Sequence, residues 1–182
     1  MWQRWWNEHD RGFLMLGVAQ DAQGAARVAP VVQERDIEFP VLLDPAGALA
    51  AALHFRIVPT GVFTDDGVIA YRHTDDFEAG DPRVRAALDA FLSGKPAPAP
   101  AGDERMDPAA LARFADGAAA HGRGDDALAL ALWREALVID PENFLIRSQI
   151  WALEHPDRFW PAVDREWQEQ QLVRDGYEGP LP

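Results

Sequence analysis

Residues 94–102, Gly-Lys-Pro-Ala-Pro-Ala-Pro-Ala-Gly, constrain the fold more than any other feature of the chain. Alternating proline fixes φ at about −65° and removes backbone donors, so this stretch favours extended polyproline conformation and enters neither a helix interior nor a central strand. It reads as a semi-rigid linker. Before it, apolar runs of strand length alternate with helical patterns; after it, Ala, Leu and Trp recur at helical spacing with no strand signal. The expectation is an α/β unit over residues 1–93, a Pro/Ala-rich linker over 94–106 and an all-α unit over 107–182.

In the first unit, residues 1–9 have helical propensity, and 13–19 form a continuous apolar run of the kind covered on both faces in a parallel sheet. Residues 25–35 read as a helix, with Pro30 kinking it or sitting in its first turn. A short strand over 39–44 and a helix over 46–55 follow. Residues 57–64 and 68–72 read as an antiparallel hairpin, because Asp66-Gly67 supplies the positive φ angles that a tight turn needs. A final helix ends at Leu92 and begins at Asp81 or Pro82, with the aspartate as N-cap and the proline at the first helical position.

That order of elements, with the stretches Gly17-Val-Ala-Gln-Asp21, Phe39-Pro-Val-Leu-Leu-Asp-Pro45 and Ile57-Val-Pro-Thr-Gly61, resembles part of a known domain. The match is to the C-terminal two-thirds of a thioredoxin-like domain of the redoxin branch, which includes thiol-disulfide reductases and the alkyl hydroperoxide reductase and thiol-specific antioxidant proteins. The resemblance spans about residues 2–92. It implies that Pro59 is cis, and that Val58, Pro59 and Thr60 meet an extended substrate or partner segment through their backbone. From the residues alone, an X-Pro bond is expected to be trans.

The chain also departs from that family. The family carries a Trp-Cys-x-x-Cys motif, or a single peroxidatic cysteine, at the start of its first helix, where the helix N-terminus lowers the thiol pKa. This chain contains no cysteine, so as written it performs no thiol chemistry. It also lacks the strand that precedes the motif, which the resemblance puts between the strands matching residues 13–19 and 60–64. Open apolar edges there would promote aggregation, and each unpaired buried backbone group costs about 1–3 kcal/mol. The gap is therefore expected to be filled. The flanking strands pair directly, a protein partner or a second copy donates a segment in a homo-oligomer, or the natural protein starts upstream of Met1. The functional expectation is a redoxin-family scaffold that is catalytically incompetent as written. The alternative is a non-catalytic module that binds protein with its thioredoxin-like edge and its C-terminal helices.

Those helices resemble a tetratricopeptide pair. Gly117, Ala129, Trp133, Ala136 and Pro141 fall at the small, aromatic and proline positions of the motif of about 34 residues. One period later stand Trp151, Val163, Trp167, Gln170 and Asp175, of which only Trp167 fits. One repeat and a remnant cannot stack as a solenoid, so these helices, with the last two over 143–154 and 161–172, are expected to pack on each other and on the first unit. Trp151, Phe159, Trp160 and Trp167 are expected to fill core rather than line an exposed groove.

Thirty acidic residues against seventeen basic ones give a net charge of −13, which works against nucleic acid or an anionic membrane as partner. No apolar run approaches the roughly 20 residues that span a bilayer, and residues 1–10 do not read as an export signal, so a cytoplasmic location is expected. No phosphate-cradling loop, nucleophile elbow or zinc helix motif suggests a cofactor. His73, Asp75, Asp76 and Glu78 could ligate a metal on paper, but they follow a hairpin where surface charge is expected, and no metal ligand is assigned. Asp21 and Asp44 stand at strand ends, where turn or N-cap duty is expected, and His54 is expected to cap a helix end.

Overall fold

The computed structural model describes residues 2–9, 12–74, 77–95 and 105–179. Most of the expected linker lies outside them, as do Asp75 and Asp76. The first part of the chain forms α1 (Trp2–Glu8), β1 (Gly17–Ala19), α2 (Ala25–Glu34), β2 (Val41–Leu43), α3 (Ala48–Ala52), β3 (Thr60–Asp65), β4 (Val68–Thr74) and α4 (Pro82–Leu92). The second part is helical: α5 (Pro108–Gly122), α6 (Asp126–Ile139), α7 (Phe144–Glu154), a 3-10 turn at Pro156–Arg158, and α8 (Arg165–Arg174). The fold is thus mixed helix and sheet. Among the described residues the strands make two separate pairs: β1 and β2 run parallel with Gly17 opposite Val41, and β3 and β4 run antiparallel with Thr60 opposite Thr74.

Local rules account for several boundaries. Asp66 and Gly67 join β3 to β4 with φ angles of 47° and 78°, both left-handed, which matches the strand twist of a tight hairpin. Asp81 caps α4 by accepting the Arg83 N–H at 2.7 Å, and Pro82 follows at a position where no N–H is needed. Pro30 sits inside α2 rather than in its first turn. The apolar run 13–19 contributes only three residues to the ladder, because its partner β2 is itself three residues long. The last helix starts at Arg165 and not at Pro161, because Asp164 accepts the Trp167 N–H at 3.0 Å and sets the N-terminus there.

Three apolar clusters hold the molecule. Trp5, Ala79, Val84 and Leu88, joined by Trp2, Phe13, Met15, Phe63 and Phe77, pack α1 and α4 against β3 and the residues that lead into β1. Phe114, Trp133, Leu145, Ile146 and Ile150 form the core of α5, α6 and α7, with Ala22 among them. Ile57, Phe144, Trp151 and Leu172 form the third, flanked by Phe159, Trp167 and Tyr177. The aromatic cluster expected of the C-terminal helices is present without Trp160, which is 37% exposed, with the Arg27 guanidinium 6.0 Å from its ring centroid. The two parts are also tied by polar contacts. The Leu145 N–H donates to the Arg56 carbonyl at 3.0 Å, and the Arg56 guanidinium pairs with Asp140 at 3.1 Å.

Trp133 is fully buried and donates its indole N–H to the Phe114 carbonyl at 3.1 Å. Its ring lies where a Cβ on Gly117 would stand, so α5 and α6 approach this closely only because residue 117 has no side chain. Gly117→Ala should therefore destabilise the protein by about 1–3 kcal/mol through overpacking, and Trp133→Ala by about 3–5 kcal/mol through loss of the ring, both read from urea unfolding. A pH effect follows from α4. Hydrogen bonds from Arg83 hold the Asp81 carboxyl down to about 2, below its unfolded value of roughly 3.9. A depressed carboxyl contributes stability that is present above the unfolded pKa and is lost as pH falls through the folded one. Asp81→Asn should lower stability at neutral pH and flatten its fall between about pH 4 and pH 2.

Candidate functional site

Strand periodicity sorts the side chains of residues 13–20 onto two faces. Phe13 and Met15 join the core under α1 and α4, while Leu14, Leu16, Val18 and Gln20 line an open cleft of about 810 Å³. The same alternation holds across the gap, where Phe63 joins that core and Thr60, Val62 and Thr64 line the cleft. Leu49 and Leu53 from the α3 region, Phe144 and Gln149 from α7, and Phe159 and Gln168 further on supply the remaining walls. Two expectations change here. The run 13–19 is not covered on both faces, since Leu14 is 77% and Leu16 45% exposed. The flanking strands do not pair directly either: β1 bonds only to β2 and β3 only to β4 among the described residues, and the cleft separates them.

Val58, Pro59 and Thr60 all stand on the wall of this cleft. The Val58–Pro59 peptide is cis, and the Thr60 hydroxyl donates to the Ile57 carbonyl at 2.7 Å. A second cis peptide, Trp160–Pro161, was not anticipated by the sequence.

At the far end of β1, a residue that the sequence did not single out completes the site. The Ala22 N–H donates to Gln149 Oε1 at 2.8 Å, and Gln149 Nε2 donates to the Gln20 carbonyl at 2.8 Å. The sequence carried no signal for it, since Gln149 is one of three successive polar residues in α7 and the burial of every position from Phe144 to Ala152 is seen only in the structure. Gln20 donates through Nε2 to Asp44 at 2.8 Å, while its Oε1 is buried with no hydrogen-bond partner among the described residues.

The other candidates take structural roles. Asp44 accepts the N–H groups of Ala48 and Leu49, each at 2.8 Å, and of Ala50 at 3.2 Å, so it caps α3. Asp21 accepts the Gln23 N–H at 2.8 Å; burial raises its pKa, and that hydrogen bond opposes the rise. His54 closes the end of α3 with φ of 56° and its N–H on the Ala51 carbonyl. His73 Nδ1 lies 2.9 Å from the Tyr71 hydroxyl. Among the described residues no cluster of three His, Asp or Glu could hold a metal, and no helix is long and apolar enough to cross a membrane.

Comparisons with known protein families, with curated proteins and with solved structures found no match to this chain. The cleft combines apolar side chains with hydroxyl and charged ones, among them Thr60, Ser148, Arg165 and Glu169, and holds no thiol. Replacing Gln149 by Leu would leave the Gln20 carbonyl and the Ala22 N–H without their partner, at about 1–3 kcal/mol for each buried group. We expect Gln149→Leu to lower the urea midpoint and to speed amide exchange at Ala22, with Gln149→Glu lying between it and the wild type.

Proposed function

We propose that this chain is the scaffold of a thioredoxin-like protein of the redoxin branch, related to thiol-disulfide oxidoreductases and peroxidases and unable to turn over thiols by itself. The observation that carries this reading is the cleft. A parallel strand pair and an antiparallel pair flank a gap, with Val58, Pro59 and Thr60 on its wall. Main-chain groups beside such a gap suit an extended protein segment better than a small polar substrate. The tetratricopeptide-like reading of α5 and α6 is supported by the burial of Ala129, Trp133 and Ala136 and by the seat that Gly117 gives the indole. On this reading the protein works in the cytoplasm on protein partners and needs no bound cofactor.

A second reading, a non-catalytic interaction module, draws on a different observation. Gln149 joins α7 to the end of β1, and Phe144 and Gln168 stand on the cleft wall, so the C-terminal helices are part of the site rather than an appendix. Insulin reduction and peroxide consumption with dithiothreitol separate the two. The chain alone should show no turnover. A folded version with a strand and a Trp-Cys-x-x-Cys helix start grafted ahead of Trp2 should turn over both, and should lose that activity when the cysteines become serine. Silence from the folded graft would leave the interaction module as the reading.

A further inference from the structure

We infer that the cleft takes an extended segment of a partner polypeptide that runs parallel to β1 and has an apolar core with basic flanks. The inference rests on the proposed reading of the cleft as a gap between strands, and not on redox chemistry. Along β1, the Gly17 N–H donates to the Pro40 carbonyl and the Ala19 carbonyl accepts the Asp44 N–H, both at 2.9 Å. Backbone groups of successive residues point to opposite edges, so those of Leu16 and Val18 face away from β2. Just past β1, where the chain turns at Ala22 and Gln23, the Gln149 amide bonds the Gln20 carbonyl and the Ala22 N–H, both at 2.8 Å. One group that accepts from residue i+2 and donates to the carbonyl of residue i reproduces a rung of a parallel ladder. An antiparallel partner would instead exchange both bonds with a single residue. Gln149 therefore acts as the last rung of a parallel neighbour, and among the described residues no strand pairs with the rungs before it.

The chemistry of the occupant follows from the walls. Leu14 and Leu16 keep large apolar surfaces exposed in the cleft, and Val62 lies on its other wall, so the core of the segment is apolar. The run from Leu14 to Val18, of which Gly17 and Val18 belong to β1, spans about five residues, or about 16 Å at ~3.3 Å per residue. A net charge of −13 opposes a second copy as occupant and favours a segment that carries lysine or arginine, and on the cleft wall itself Glu169 stands with Arg165.

The test uses a cysteine-free synthetic peptide with a core of about five Val and Ile residues and two lysines at each end, titrated into the full chain by calorimetry. Binding is expected in the micromolar range. N-methylation of alternate core residues removes the donors on one edge, and each of the two alternating patterns should weaken binding roughly tenfold or more, because the segment bonds to β1 on one side and β3 on the other. A spin label on the peptide C-terminus should broaden the amide signals of Ala22, and one on the N-terminus those of Leu14. No binding at millimolar peptide, indifference to both methylation patterns, or the reverse label pattern would overturn the inference. So would a concentration-dependent dimer in sedimentation that the peptide dissolves, since a second copy would then be the occupant. Peptide binding combined with an inactive graft would sink the redox reading alone.

Discussion

One side-chain amide carries the junction on which the rest of this structure depends. Gln149 reaches out of α7 and bonds the Gln20 carbonyl and the Ala22 N–H where the pairing of β1 stops. Without those bonds, two backbone groups at the strand end would lack a partner, and α7 would lose one of its fixed points on the first part of the chain. Because both bonds come from one planar group, they fix orientation as well as distance. The neighbouring tie, from the Leu145 N–H to the Arg56 carbonyl, gives the same helix a second fixed point on the first part of the chain.

From that junction α7 distributes the packing. Leu145, Ile146 and Ile150 belong to the core of α5 and α6, whereas Phe144 and Trp151 belong to the cluster with Ile57 and Leu172. A helix buried on every side is ordinarily apolar throughout, yet Arg147, Ser148 and Gln149 are buried at its centre. Each has a partner: Arg147 pairs with Asp175 and donates to the Pro141 carbonyl, and Ser148 donates to the Leu145 carbonyl. The contacts of Arg147 and Gln149 reach outside the helix and specify how it is turned, whereas that of Ser148 stays within it.

Features governed by neighbours in sequence were legible from it. The Asp66-Gly67 turn, the Asp81 cap before Pro82, and the fit of Gly117 to Trp133 each follow from a rule that acts within a few residues or one helix pair. Beside residues 13–19 the expectation was a gap filled by direct pairing, by a donated segment or by upstream chain; among the described residues the flanking strands do not pair. What sequence did not yield depends on distant partners. The ladder of β1 is cut short by the length of β2, Trp160 is left outside its aromatic cluster, and α8 starts where Asp164 caps it. Gln149 was missed for the same reason, because its partners are more than a hundred residues away and nothing near it in sequence announces them.

The Gln149 rung also makes the edge of β1 a ruler with a stop at one end. A chain lying against an ordinary open edge can slip by one residue, and each slip turns every side chain to the opposite face. Here the final position is already taken, so a guest is measured from a fixed zero. Slipping past it would force a bulge or an unpaired peptide, and the stop sets the guest's phase while the far end stays open.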